Sequence, residues 1–373
     1  MAKPDYDSLR DNVPYRWHVT CPYYVFYGLT DIPIEEVNLK PEAMIELIRK
    51  GRPLYREMWG EELPMPGVST PAISYGHLNC LGAELIFPEG GEVSFKVPCD
   101  SLDEAIELLR KPVDWATAGM MPFYLDYQRQ LREAFPGENV GLSFSVQGPM
   151  TTAYGLRGME FFTDPYDDPE RTKEFLDLCV DSIHQYKYFL ADLNGQPHIS
   201  PRSNKLYDDV GSMFSVPMWP EFVLPFYERY FGGLTTGSRG AHIEDLRPEQ
   251  LHFLEDMGLS DFDPGISHKI NPPIIRDRCR VPFGWRMGSF HYNGLMVDEV
   301  EEWVYQAVAD GASYVFSQVA EEMVRSNSVE KLHAFTRAAK EVARLFGEGA
   351  TREEIGERVS PGGKEKFWTH WPE

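Results

Sequence analysis

From Gly141 onward the chain repeats one local rhythm: a short apolar run, a turn built on Gly or Pro, then an amphipathic helix. Residues 142–146 form such a run, stopped at Gly148 and Pro149, and residues 169–190 read as the helix that follows. Residues 220–230 carry Phe222, Val223, Phe226 and Tyr227 on one helical side. A short strand is predicted at 240–244, and a helix at 248–257 is stopped by Gly258. Further strands are predicted at 262–264, 281–283 and 313–316, with helices at 297–309 and 329–346. A strand reaches a parallel neighbour only through a crossover, so this alternation demands parallel strands with helices outside them. In a chain of 373 residues it predicts a closed (β/α)8 TIM barrel rather than an open sheet.

Upstream the pattern differs. The first 40 residues are rich in aromatics and Pro, with Trp17, Tyr23, Tyr24, Phe26 and Tyr27 close together. A helix is predicted over 41–50, ended by Gly51 and Pro53. Residues 72–97 look β-like, and 100–110 read as a helix capped by Ser101 with Glu104 three residues on. The organisation expected is an N-terminal arm and helix packed on the barrel (1–70), the barrel (71–350) and a C-terminal tail (351–373).

Charge and composition exclude several roles. The net charge is -22, from 36 Lys+Arg against 58 Asp+Glu, so the phosphate-neutralising surface of a nucleic-acid binder is missing. No apolar run approaches the roughly 18 residues of a membrane span, and residues 1–15 lack the apolar core of a signal peptide. The five cysteines are scattered, without CxxC, which makes a reducing cytoplasm the expected compartment. The glycine fingerprints of dinucleotide and P-loop sites are absent.

His242-Ile243-Glu244 is the most informative triplet. In a strand, residues i and i+2 share a face, so His242 and Glu244 are expected to converge at a strand's C-terminal end, the active face of a barrel. An imidazole and a carboxylate there supply part of a zinc site, a general acid/base pair, or a structural hydrogen bond. Glu321 is the preferred third metal ligand; Glu322 and Cys279 are the alternatives, the latter crowded by Arg276, Arg278 and Arg280. Asp261 and Asp263 bracket Phe262 and share a face, so they are candidates to contact substrate, a metal or a catalytic water, or to cap the turn at Pro264–Gly265, with Asp263 a candidate catalytic acid. Asp209, in Tyr207-Asp208-Asp209-Val210-Gly211-Ser212, is a candidate catalytic loop residue. Gln147, in a tight Gly-Pro turn, and Trp285 and His291, in a cluster with Arg286 and Tyr292, are candidate ligand or cofactor contacts. That cluster suits a lid or an anionic group.

Several blocks together carry a resemblance. They are VQGPMTTAYGLRGMEFFTDPYDDPE (146–170), LYDDVGSMFSVPMWPEFVLPFYERY (206–230), GAHIEDLRPEQLHFLEDMGLSDFDPG (240–265) and DEVEEWVYQAVADGASYVFSQVAEEM (298–323), with LGAELIFPEGG (81–91) before them. Their order resembles the uroporphyrinogen decarboxylase superfamily over about residues 70–345, most nearly its corrinoid-linked methyltransferase branch. The resemblance implies a barrel with a funnel at the strands' C-terminal ends, and homodimers in some branches. The decarboxylases use no metal and grip substrate carboxylates with an Arg-rich N-terminal motif; here Arg16 stands alone beside Trp17 and His18. The methyltransferases hold zinc with His-x-Cys and a later Cys; here those positions read His242, Glu244 and Glu321. What this branch implies is methyl transfer from a small methoxylated, even aromatic, molecule to the corrinoid (cobalamin) of a partner protein, with Zn2+ as Lewis acid. The alternatives are a metal-free decarboxylase-like lyase and a non-catalytic barrel binding protein.

Overall fold

The computed structural model describes residues 3–326 and 328–368, so the end of the expected tail, 369–373, lies outside the described residues. The architecture is mixed α/β. Its strands are β1 (Arg16–Thr20), β2 (Val68–Ser69), β3 (Leu85–Ile86), β4 (Ser94–Phe95), β5 (Val140–Gly141), β6 (Ser203–Tyr207), β7 (Ser238–His242), β8 (Asp261–Asp263), β9 (Gly284–Met287) and β10 (Tyr314–Gln318). The chain divides into two compact bodies, one holding residues 32–47 and 67–239, the other 3–31, 48–66 and 240–368. Among the described residues the ladders form separate short sheets, several of them parallel, and no sheet is closed into the expected ring.

In the first body β2 runs parallel to β5, with Val68 opposite Val140, and the bridge Ile73–Phe144 continues the pairing. β3 and β4 form an antiparallel pair. The helix Pro169–Leu193 buries Phe175, Leu176, Cys179, Val180 and Ile183, a stripe spaced for one helical face. Asp168 caps it by accepting from the Arg171 amide. The helix Leu102–Leu109 starts at Ser101, whose side chain accepts from Glu104 N at 3.2 Å, as the capping pattern predicts.

The second body is built on parallel pairing. β7 lies beside β8 with Gly240 opposite Asp261 and His242 opposite Asp263. The bridge Phe262–Phe283 joins β8 to the entry of β9; β9 pairs with β10, and β10 with β1. The spatial order is therefore β7-β8-β9-β10-β1, all parallel. The segment expected as an arm thus supplies a strand, with Arg16 opposite Tyr314 and Thr20 opposite Gln318. Tyr314, Val315, Phe316 and Ser317 are buried on both faces of β10, the burial that covered parallel strands require. On the outer side Trp285 meets Trp368 edge-on at 5.8 Å, and the helix Val297–Ala309 brings in Trp303.

Two boundaries differ from the sequence expectation for packing reasons. The helix predicted at 41–50 runs as Pro41–Trp59, through Gly51 and Pro53. At Gly51 a Cβ would sit 2.4 Å from the Phe26 ring, so this glycine is a close-approach residue and not a stop. The strand predicted at 281–283 forms three residues later, as β9, which moves Trp285 and Arg286 from a loop into the ladder.

Candidate active site

β7 and β8 end side by side, at His242 and Asp263. Their register makes the two residues direct neighbours, and Asp263 Oδ2 lies 3.0 Å from His242 Nδ1. Asp263 Oδ1 in turn accepts from the Gly265 amide at 2.9 Å, which fixes the carboxylate and therefore the ring. With Nδ1–H donating to Asp263, Nε2 is the nitrogen on the opposite side of the ring. Glu244 Oε1 stands 3.6 Å from that Nε2 and accepts from the Ile266 amide at 3.2 Å. The His242, Asp263 and Glu244 side chains are 20%, 11% and 36% exposed, a gradient from buried anchor to solvent.

Glu244 reaches this place by a turn rather than by strand alternation. β7 ends at His242, and Asp245 adopts a left-handed conformation, φ 58. Its carboxylate accepts from the His268 amide at 3.1 Å, which ties the turn to the loop after β8. Gly265, at φ +60, passes so close to Glu244 that a Cβ there would lie 2.0 Å from Oε1.

The same face of the ladder carries further polar groups. Asp261, two residues before Asp263, is paired with Arg16 of β1. The Arg16 guanidinium lies 4.3 Å over the Tyr314 ring, and His18 stacks on Phe316 at 5.1 Å. Gly284 leaves room for that tyrosine, since a Cβ there would lie 2.2 Å from the Tyr314 ring. Arg286, two residues beyond Gly284, shares its face by alternation, while Trp285 turns the other way, to Trp368. Arg286 is half-buried, and its Nε is buried without a hydrogen-bond partner among the described residues. Sequence reasoning placed this arginine in a loop cluster; its strand parity was the missed signal.

The other predicted residues lie elsewhere. Trp285 is buried against a helix, outside the face that carries His242. His291 accepts from the Gly288 amide at Nδ1 (3.0 Å) and burial pushes its pKa down to about 4, so it closes a turn. Glu321 opens the helix Glu321–Arg325 and pairs with Arg325 one turn on. In the first body Asp209 is exposed at the start of a 3-10 turn, whereas its neighbour Asp208 is fully buried. Asp208 accepts from Met150 N and Thr151 N, each at 2.8 Å, and from Thr151 Oγ1 at 2.7 Å. Gln147 lines a cavity in that body.

The expected zinc set does not fit these residues. Of the expected ligands, Glu244 stands beside His242 Nε2, whereas Glu321 is paired with Arg325; Asp263, on the opposite ring nitrogen, lies outside that set. Among the described residues no group of three or more His, Cys, Asp or Glu side chains is arranged to hold a metal ion. Cys279, the alternative ligand, is buried, and burial pushes its thiol up to about 12.

No helix among the described residues is long and apolar enough to cross a membrane. Among curated proteins nothing matches the sequence. Among solved structures, a methyltransferase from Methanosarcina mazei is similar at TM-score 0.62 and 17% identity, covering 90% of this chain and 97% of that one. A chain from Listeria monocytogenes, described as a vitamin-B12-independent methionine synthase, aligns over 92% of this chain and 99% of its own, at TM-score 0.43 and 13% identity. The first of these shows a shared fold. The family model for uroporphyrinogen decarboxylase (URO-D) matches residues 70–277, more than half of the chain and through both ends of the His242–Asp263 pair, so this protein belongs to the URO-D family.

Proposed function

We propose that the protein is a metal-independent lyase that removes a carboxyl group from a small organic acid, with His242 as its proton donor. The observation that carries this reading is the dyad: Asp263 holds Nδ1 at 3.0 Å, and Glu244 stands 3.6 Å from Nε2 on the other side of the ring. Asp263 stabilises the imidazolium and sets its orientation, the role a buried carboxylate plays behind any catalytic histidine. Arg286, on the same ladder face and with a buried Nε that lacks a partner, supplies a cation for a substrate carboxylate.

The chemistry follows from the charges. The bond between the substrate's carbon and its carboxylate breaks, CO2 leaves, and the electron pair stays with the substrate. That pair needs a sink in the substrate itself, so the acid is a β-keto acid, whose carbonyl takes the pair as an enolate, or an acetic acid side chain on an electron-poor heteroaromatic ring, which takes it into the ring. The imidazolium Nε2–H then protonates the carbon, and Glu244, open to solvent, returns a proton to the ring. No step needs a Lewis acid.

The test is CO2 release from a panel of such acids by wild type and His242→Gln. Loss of about 10²-fold or more in kcat, with an unchanged circular dichroism spectrum, is the expected result. Full activity in His242→Gln rejects the reading. The second reading is methyl transfer from a methoxylated substrate to a partner's corrinoid, supported by the fold shared with the Methanosarcina protein. Methylation of free reduced cobalamin by the purified protein, with no CO2 release from the panel, would favour it.

A further inference from the structure

The first body contains a cavity of about 490 Å3 that the proposed chemistry does not use. Its volume is within the range of small-molecule sites. Lys187, from the helix Pro169–Leu193, lies on its wall. The ammonium rests 5.5 Å from the centroid of the Tyr230 ring, and no carboxylate among the described residues pairs with it or acts on it electrostatically. In a chain with a net charge of -22 such a cation is unusual, because acidic partners are plentiful and a desolvated ammonium costs free energy unless something neutralises it. Burial pushes the Lys187 amine down to about 8, while the residue keeps part of its surface open.

The rest of the wall defines what else a ligand needs. Ser145, Gln147 and Asn204 offer hydroxyl and amide groups, while Leu190 and Leu234 give an apolar side. His198, also on the wall, is committed to Asp192 at 2.7 Å and stacked on Tyr188 at 4.5 Å. One cation and several neutral polar groups match one negative charge on a hydroxylated body. A phosphate dianion would find a single ammonium and no backbone cradle among these residues.

We propose that this cavity binds a small hydroxylated monocarboxylate, its carboxylate on the Lys187 ammonium and its hydroxyls on the Ser145, Gln147 and Asn204 side chains. The site is independent of the decarboxylation reading, since it is built from other residues. Isothermal titration of the whole protein with gluconate, against sorbitol and inorganic phosphate, tests it. The expected result is gluconate binding to wild type, with sorbitol and phosphate each weaker by at least about tenfold. Lys187→Met is expected to lose at least about tenfold in gluconate affinity, and Lys187→Arg to keep most of it. Should Lys187→Met not fold, Gln147→Leu, which leaves the cation in place, is expected to weaken gluconate by several-fold, about the value of one lost hydrogen bond. Gluconate binding equally well to Lys187→Met, sorbitol or phosphate binding as tightly as gluconate, or no gluconate binding to wild type would each overturn the proposal.

Discussion

At the scale of single residues, the proposed function rests on how one imidazole is held. Asp263 touches His242 at 3.0 Å and is itself fixed by the Gly265 amide. Replacing Asp263 by Asn keeps the shape but offers Nδ1 an amide in place of a charge, and the ring loses its preferred tautomer. We expect kcat to fall by about 10³-fold or more with little change in melting temperature, read by steady-state kinetics and a thermal melt. Gly265 gives a second prediction. Its φ is +60 and an added Cβ would meet Glu244 Oε1 at 2.0 Å. Gly265→Ala should therefore lose about 1–2 kcal/mol in urea denaturation and displace Glu244, so that proton return slows as well. The value of His242 and Asp263 as chemical candidates was legible in the sequence. Their pairing was not, because it depends on the β7–β8 register, which places residue 242 opposite residue 263. Asp208 and Asp209 make the same point: two adjacent aspartates look alike in sequence, and burial alone separates them.

At the scale of elements, Asp208 links the end of β6 to the helix Pro149–Arg157. It satisfies the amides of Met150 and Thr151 in the first turn, where a helix leaves its N–H groups unpaired. Burial pushes its carboxyl up to about 7 from the ordinary 3.8, against the hydrogen bonds from Thr151 and Met150 that hold it down. Between these two values the folded chain holds a proton that the unfolded chain has released. The stability contributed by Asp208 therefore falls as pH rises from about 4 to about 7 and is level above that. Asp208→Asn should remove this slope from a plot of unfolding free energy against pH. It should also cost about 1–3 kcal/mol at pH 8, because an amide has only one acceptor oxygen for three donors. The strand pattern also shows where position matters: β9 begins three residues later than expected, which takes Trp285 and Arg286 out of a loop and sets Arg286 on the inner face. Short parallel strands with apolar residues on both faces carry no period to fix that choice.

At the scale of the whole molecule, the URO-D family and the mixed α/β architecture agree with the strand-turn-helix rhythm. Metal dependence is a separate question at this scale: among the described residues no group of three or more His, Cys, Asp or Glu side chains is arranged to hold a metal ion. An extended incubation with EDTA followed by desalting should leave both the melting temperature and CO2 release unchanged. Loss of either one, restored by Zn2+, would return the metal to the site. The surface charge is a separate whole-chain property. With a net charge of -22 the chain should repel polyanions, and it gives no electrostatic reason to bind DNA or RNA.

The sequence by itself determined what is local or additive. Charge is a sum, helix caps such as Ser101 and Asp168 act over three residues, and the order of apolar runs, turns and helices is written along the chain. Tertiary structure alone decided what needs two distant segments to meet. It made residues 16–20 a strand beside β10, set His242 against Asp263, turned Arg286 inward and left Lys187 on a cavity wall with no carboxylate among the described residues paired to it. The physical reason is the same in each case: register, strand parity and burial are relations between segments, and a one-residue shift reverses every side chain while leaving composition and periodicity untouched.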